Sequence, residues 1–211
     1  MSSTLPLLFV DESLLALAKP AGLLSVPGRG EDNQDSLLSR VQVEFPDALA
    51  VHRLDMATSG LILMARGKTM QSALNRLFAG RQVEKTYEAV LAGRLAEAEG
   101  CVDLPLICDW PRRPRQKVCF LHGKPALTRW RLLAYDATRH RSRVLLMPET
   151  GRSHQLRVHM QAIGHPVLGD EFYAAPAGRA AASRLLLHAS RLFLPHPRTG
   201  EPLELALPAP F

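Results

Sequence analysis

The apolar run Leu61-Ile62-Leu63-Met64-Ala65 constrains this chain more than any other stretch. It is too short and too uniformly apolar for an amphipathic helix, so it is expected as a buried strand. Directly before it stands VHRLDMATSG (51–60), which sets His52, Arg53 and Asp55 at the mouth of that strand. A charged group taken out of water without a partner is costly or shifts its pKa. The placement therefore calls for either a paired structural charge or chemistry.

Around this strand the periodicities are those of a mixed chain. LLALAK (14–19) reads as a short strand closed by Pro20-Ala21-Gly22. LLSRVQVEF (37–45) carries Leu37, Leu38, Val41 and Phe45 near helical spacing, with Asp35 or Ser36 as cap and Pro46 as stop. Met70, Ala73, Leu74, Leu77 and Phe78 fall on one helical face, and Gly80 is placed to end that helix. KTYEAVLAG (85–93) alternates as a half-solvated strand does, which directs Tyr87 to the apolar side. Segments 129–135, 143–147, 184–194 and 202–207 also read as strands, with turns at Asp136 and at Pro197 to Gly200. Few helices among many strands, without sustained alternation, give an α+β chain with a largely antiparallel mixed sheet. No repeat, low-complexity tract or long linker interrupts the 211 residues, so a single domain over 1–211 is the simplest partition.

Composition narrows the setting. Twenty-six Lys and Arg against twenty Asp and Glu leave a net charge of +6, which suits a polyanionic partner without demanding one. Cys101, Cys108 and Cys119 form neither a disulfide framework nor a C-x-x-C pair, and a reducing cytoplasm is their simplest home. The first residues lack the basic start of a signal peptide and carry Asp11 and Glu12 where one needs an unbroken apolar stretch. No apolar run is long enough to span a bilayer, so no membrane partner is expected.

Most familiar chemistries find no residues here. The chain holds no phosphate loop or dinucleotide fingerprint, and its eight histidines form no H-E-x-x-H or Cys/His cluster, so no metal is expected. Ser25, Ser59 and Ser153 lie in no G-x-S-x-G elbow. What is left is Asp55, the only acid between Asp47 and Glu84, set among apolar, small and basic residues as a single-carboxylate mechanism requires. WPRRPRQK (110–117) is the densest basic stretch, and its prolines favour an extended arm. Arg112, Arg113, Arg115 and Lys117, flanked by Trp110 and Phe120, suit RNA phosphates and unstacked bases. The plain alternative is a solvated loop.

HRLDMATSGLILMA resembles the signature of the RluA family of pseudouridine synthases. KPAGLLSVPG (19–28), EKTYEAVLAG (84–93), GRSHQLRVHMQAIGHPVLGDEFY (151–173) and RLLLHA (184–189) match in the family's order. With VDLPLICDWPRRPRQKV (102–118) the similarity points to the subgroup acting on both 23S rRNA and tRNA. Ala18 departs from the Asn that many relatives carry, and nothing before Lys19 has room for their small S4 RNA-binding domain. The resemblance implies an enzyme that breaks the uracil N1–ribose bond, turns the base and rejoins it through C5, with no cofactor, on a uridine flipped out of the RNA stack.

By resemblance Asp55 is the catalytic aspartate, as nucleophile or base, and Arg157 is its partner. Tyr87 lies against the flipped uracil, and Arg53 fills the gap that the base leaves. His52, Arg152 and Leu187 are further pocket or RNA candidates. The implied substrates are structured RNA, a tRNA anticodon stem-loop and a 23S rRNA hairpin, and no protein partner is implied. Each role has a plain rival: Asp55 and Arg157 as a buried ion pair, Tyr87 as core packing, His154 and His188 as structural, and Lys19 as a solvated turn lysine. A non-catalytic RNA-binding or chaperone module on the same fold is the competing function. A hydrolase lacks a second positioned carboxylate.

Overall fold

The computed structural model describes residues 6–211, which divide into two compact units, 6–84 with 189–210 and 85–188 with 211. Residues 1–5, on which part of the signal-peptide expectation falls, lie outside the described residues.

The first unit is built around β2 and β4. β1 (Leu7–Val10) turns back antiparallel onto β2 (Leu14–Lys19). α1 (Leu37–Glu44) follows, and Ser36 closes its start in a reciprocal capping box with Ser39. β3 (Ala48–Ala50) and β2 both pair antiparallel with β4 (Ser59–Arg66), so β4 is an interior strand. Leu61 to Ala65 are all buried, which is why that run carries no polar alternation. α2 (Gly67–Ala79) ends at the expected place, but the left-handed residue behind it is Arg81 rather than Gly80.

The second unit is an antiparallel sheet with a helix and a ribbon. β5 (Glu84–Ala92) opens it, and β6 (Glu99–Asp103) lies at the other edge. β7 (Leu106–Cys108) and β8 (Gln116–Val118) form a separate two-stranded ribbon. β9 (Leu127–Asp136) and β10 (Arg141–Pro148) complete the order β5-β10-β9-β6. β10 alternates cleanly, burying Ser142, Val144 and Leu146, whereas β5 buries Ala89, Val90 and Leu91 in succession. α3 (Gln155–Ala162), with the short α4 (Pro176–Ala180), was not expected. Residues Gln155 to Met160 are buried without a break, so α3 shows no polar face and no helical period.

β11 (Leu187–Pro195) begins in the second unit and continues in the first, where it lies beside β4 and pairs antiparallel with β12 (Pro202–Ala206). The strand expected over 184–194 thus starts three residues late. The α+β class, the largely antiparallel pairing and the few helices agree with the sequence. Among the described residues no helix is long and apolar enough to cross a membrane.

Candidate active site and basic ribbon

In the first unit the chain between β3 and β4 carries Asp55, and its backbone is pinned residue by residue. Ser25 Oγ accepts the Leu54 N–H at 3.0 Å and donates to the Leu54 carbonyl at 2.8 Å. The Asp55 carbonyl accepts the Thr58 N–H at 3.0 Å, and the Met56 carbonyl accepts the Gly22 N–H at 2.8 Å. His52 Nε2 accepts the Leu63 N–H at 2.8 Å, and its ring packs on Phe78 with centroids 4.8 Å apart. A half-buried carboxylate is thereby carried on a backbone with little freedom to move.

Lys19 is the largest correction in this region. Far from a solvated turn residue, it is 1% exposed, and its Nζ donates to the carbonyls of Pro20 (2.8 Å), Leu23 (2.7 Å) and Met56 (3.1 Å). The ammonium ties the turn after β2 to the residue following Asp55. Only its place at the end of an apolar strand hinted at this. Gly60 supplies a second constraint: φ is 118°, and a Cβ there would overlap the backbone of Ala189. The T-S-G step thus requires glycine on both counts.

The second unit holds Tyr87 and Arg157. Tyr87 is half-buried on β5, opposite Leu146 of β10. Arg157 lies in the first turn of α3, 3% exposed, with Nε and Nη2 on the two carboxylate oxygens of Asp170 at 2.7 and 2.8 Å. Asp170 also accepts the N–H groups of Phe172 (2.9 Å) and Tyr173 (3.1 Å). The rings of both flank the Arg157 guanidinium, with centroids 5.2 and 5.1 Å from it. In sequence Asp170 carries no signal of this role, because a lone acid in GDEFY has no distinguishing spacing.

Gln155 fixes the entry to α3. Its Oε1 accepts from Thr150 Oγ1 (2.7 Å) and the Arg152 N–H (3.0 Å), and its Nε2 donates to the Leu127 carbonyl (2.9 Å) and Thr128 Oγ1 (3.0 Å). His154 before it takes a left-handed backbone, φ 53°, and its Nδ1 lies 2.7 Å from the Tyr173 hydroxyl. Leu187 and His188 are buried at the start of β11.

The basic stretch is not a simple extended arm. Trp110–Arg112 form a single 3₁₀ turn, and β8 begins at Gln116, so the arginines sit at the tip of the β7–β8 ribbon. An acid stands directly before the basic stretch. Asp109, 4% exposed, takes Arg112 Nε at 2.6 Å and Lys117 Nζ at 3.4 Å. Burial raises the Asp109 carboxyl, but Arg112 and then Lys117 outweigh that and hold it below the usual carboxylate range. Arg113 lies over the Trp110 ring and Arg115 over Phe172. Arg53 and Arg152 are exposed, and Arg152 Nε reaches the Pro125 carbonyl at 3.1 Å.

The first unit thus carries an aspartate on a pinned segment, and the second carries an arginine bonded to Asp170 and a basic ribbon. The RNA pseudouridylate synthase family matches residues 13–162, and the chain belongs to it. Its sequence is 53% identical over 207 residues to the dual-specificity RNA pseudouridine synthase RluA of Escherichia coli K12, covering 98% of this chain and 94% of that one. It is likewise 53% identical over 204 residues to RluA of Yersinia pestis, covering 97% and 98%. Among solved structures, human RNA pseudouridylate synthase domain containing 1 superimposes with a TM-score of 0.82 at 31% identity, over 99% of this chain and 84% of the other. The chain is an RNA pseudouridine synthase, an isomerase whose substrate is RNA. The non-catalytic alternative falls away.

Proposed function

We propose that this enzyme isomerises uridines in the loops of structured RNA, both a tRNA anticodon stem-loop and a 23S rRNA hairpin, and that it does so in the cytoplasm as one catalytic domain. The dual specificity that names the relatives at 53% identity supports the substrate pair. Three free thiols accord with a reducing compartment. The observation that carries the catalytic assignment is the clamp around Asp55. Leu54, Asp55 and Met56 each have a carbonyl fixed by a donor, so the backbone that carries the carboxylate needs no reorganisation.

Asp55 is the catalytic group, acting at the ribose as nucleophile or at the sugar as base while the N1 bond breaks. Tyr87 bears on the flipped uracil, and Arg157, oriented by Asp170, serves the same turnover. Arg53 takes the place vacated in the RNA stack. Arg152, Arg112, Arg113, Arg115 and Lys117 meet phosphates, and His52 supports the Asp55 segment from within. The reaction is redox-neutral and proceeds without metal or cofactor.

Purified protein incubated with a synthetic anticodon stem-loop and with the rRNA hairpin, each scored for pseudouridine by mass spectrometry, tests this reading. Both RNAs should be converted in the presence of EDTA. Conversion of one RNA alone overturns the dual specificity. Activity lost to EDTA and restored by a divalent ion, at constant RNA fold, overturns the metal-free chemistry.

A further inference from the structure

Trp110 flanks the basic stretch, and its exposure calls for a reason. Trp130, the other tryptophan, is buried, whereas the Trp110 indole is 67% exposed at the tip of the ribbon. An indole left in water forgoes its largest stabilising contribution. The tip is nonetheless well held: Asp109 and Arg115 exchange a backbone bond (2.9 Å), the Arg115 N–H reaches the Arg112 carbonyl (3.0 Å), and the Gln116 N–H donates to the Tyr173 hydroxyl at 2.8 Å. Arg113 stacks its guanidinium 4.1 Å from the centre of the indole. Arg112 and Lys117 are drawn back onto Asp109. The result is an aromatic plate with a cation on it, raised on a braced turn among basic side chains.

Resting on the proposed loop substrates, we infer that Trp110 is a stacking platform for one unpaired base of the RNA loop, separate from the uridine that reacts, with Arg113 holding the indole and neutralising the adjoining phosphate. Every base has a π-face, so a flat aromatic surface accepts an unstacked base without reading its edge. The cation already on the indole supplies the charge complementarity that an apolar partner would not. A folded protein surface is disfavoured by the same charges, and duplex RNA offers no free base. The platform would thus select for RNA whose loop splays a base outward, and so for loops over stems.

A binding cycle tests it, with Trp110→Ala, Trp110→Phe and a set of stem-loops in which loop nucleotides are made abasic one at a time. Trp110→Ala should weaken binding about tenfold, or about 1.4 kcal/mol, and Trp110→Phe should restore most of it. One abasic position should cost the wild type a similar factor and cost Trp110→Ala almost nothing, the non-additivity of a direct contact. RNA should also quench the exposed indole in the wild type and not in Trp110→Phe, where buried Trp130 alone emits. Equal affinity of Trp110→Ala and wild type, or abasic penalties identical in both, overturns the platform. Pseudouridine formation by the wild type on the intact stem-loop is scored in parallel. Its absence removes the substrate reading, while the binding cycle still decides the platform.

Discussion

The Asp55 segment and the ribbon tip are both short irregular stretches rich in charge, and they are built in opposite ways. Around Asp55 the carbonyls of Leu54, Asp55 and Met56 each take a donor, one of them a buried ammonium, and the flanking strand is apolar from Leu61 to Ala65. At the ribbon tip the backbone closes on itself, and the side chains stand in water over one buried carboxylate. Chemistry on a bond needs a carboxylate whose position is fixed before substrate arrives. Attraction of a polyanion needs only charge at the surface, which tolerates displacement. Substitutions in the first segment should therefore act on turnover and stability, and those in the second on affinity and its salt dependence.

The sharpest way to break this division is Asp55→Asn. Asparagine keeps volume and hydrogen-bonding capacity but cannot act as an anionic nucleophile or base. Folded protein that still binds the stem-loop should form no measurable pseudouridine. Retention of more than about a hundredth of wild-type turnover, a barrier rise below ~3 kcal/mol, would make Asp55 a structural residue and dissolve the contrast.

Lys19→Met should come next. Methionine fits the space but leaves the carbonyls of Pro20, Leu23 and Met56 short of a donor, at a cost of about 3 kcal/mol in urea denaturation. The Asp55 backbone loses one of its anchors as well, so turnover of the surviving folded protein should drop more than RNA affinity does. Unchanged turnover would show that Ser25 and Gly22 suffice to hold the segment.

These two residues also mark where the sequence was informative. The motif around Asp55 carried a signal through its resemblance to a family signature, whereas the isolated acid before an apolar run reads equally as a structural ion pair. Lys19 carried almost none: a lysine before proline and glycine looks the same whether its ammonium is solvated or folded back onto carbonyls. α3 is not legible because its first six residues are buried without a break, which removes the period by which helices are recognised. The β7–β8 ribbon was missed because strands of three residues are shorter than any alternation. The pairing of Arg112 and Lys117 is not legible in sequence, since their shared partner, Asp109, precedes the basic run.

At the ribbon, replacing Arg112, Arg113 and Arg115 together by glutamine should weaken RNA binding and reduce the slope of log affinity against log salt by about 2, at roughly 0.7 per single-strand phosphate contact. Arg112, engaged by Asp109, should contribute least when changed alone. Turnover at saturating RNA should fall far less than in Asp55→Asn. An unchanged salt slope would return the tip to a solvated loop.

The smallest effect concerns how the ribbon is bolted to the second unit. His159 of α3, fully buried, donates from Nε2 to the carbonyl of Leu104 just before β7 (3.0 Å) and accepts at Nδ1 from Thr128 Oγ1 (2.9 Å). Burial holds its pKa below the ordinary 6.5, only partly offset by the Leu104 carbonyl and Asp103. The unfolded chain therefore takes up this proton first as the pH falls. The stability linked to His159 is complete above about pH 6.5 and declines below it, by at most about 1.4 kcal/mol per pH unit. Glutamine can make both bonds and does not titrate. His159→Gln should cost about 1 kcal/mol at pH 7.5. That gap should narrow or reverse by pH 5 in chemical denaturation followed by circular dichroism. A gap constant across this range would mean that His159 binds protons equally in both states, and that acid does not loosen the root of the ribbon through this residue.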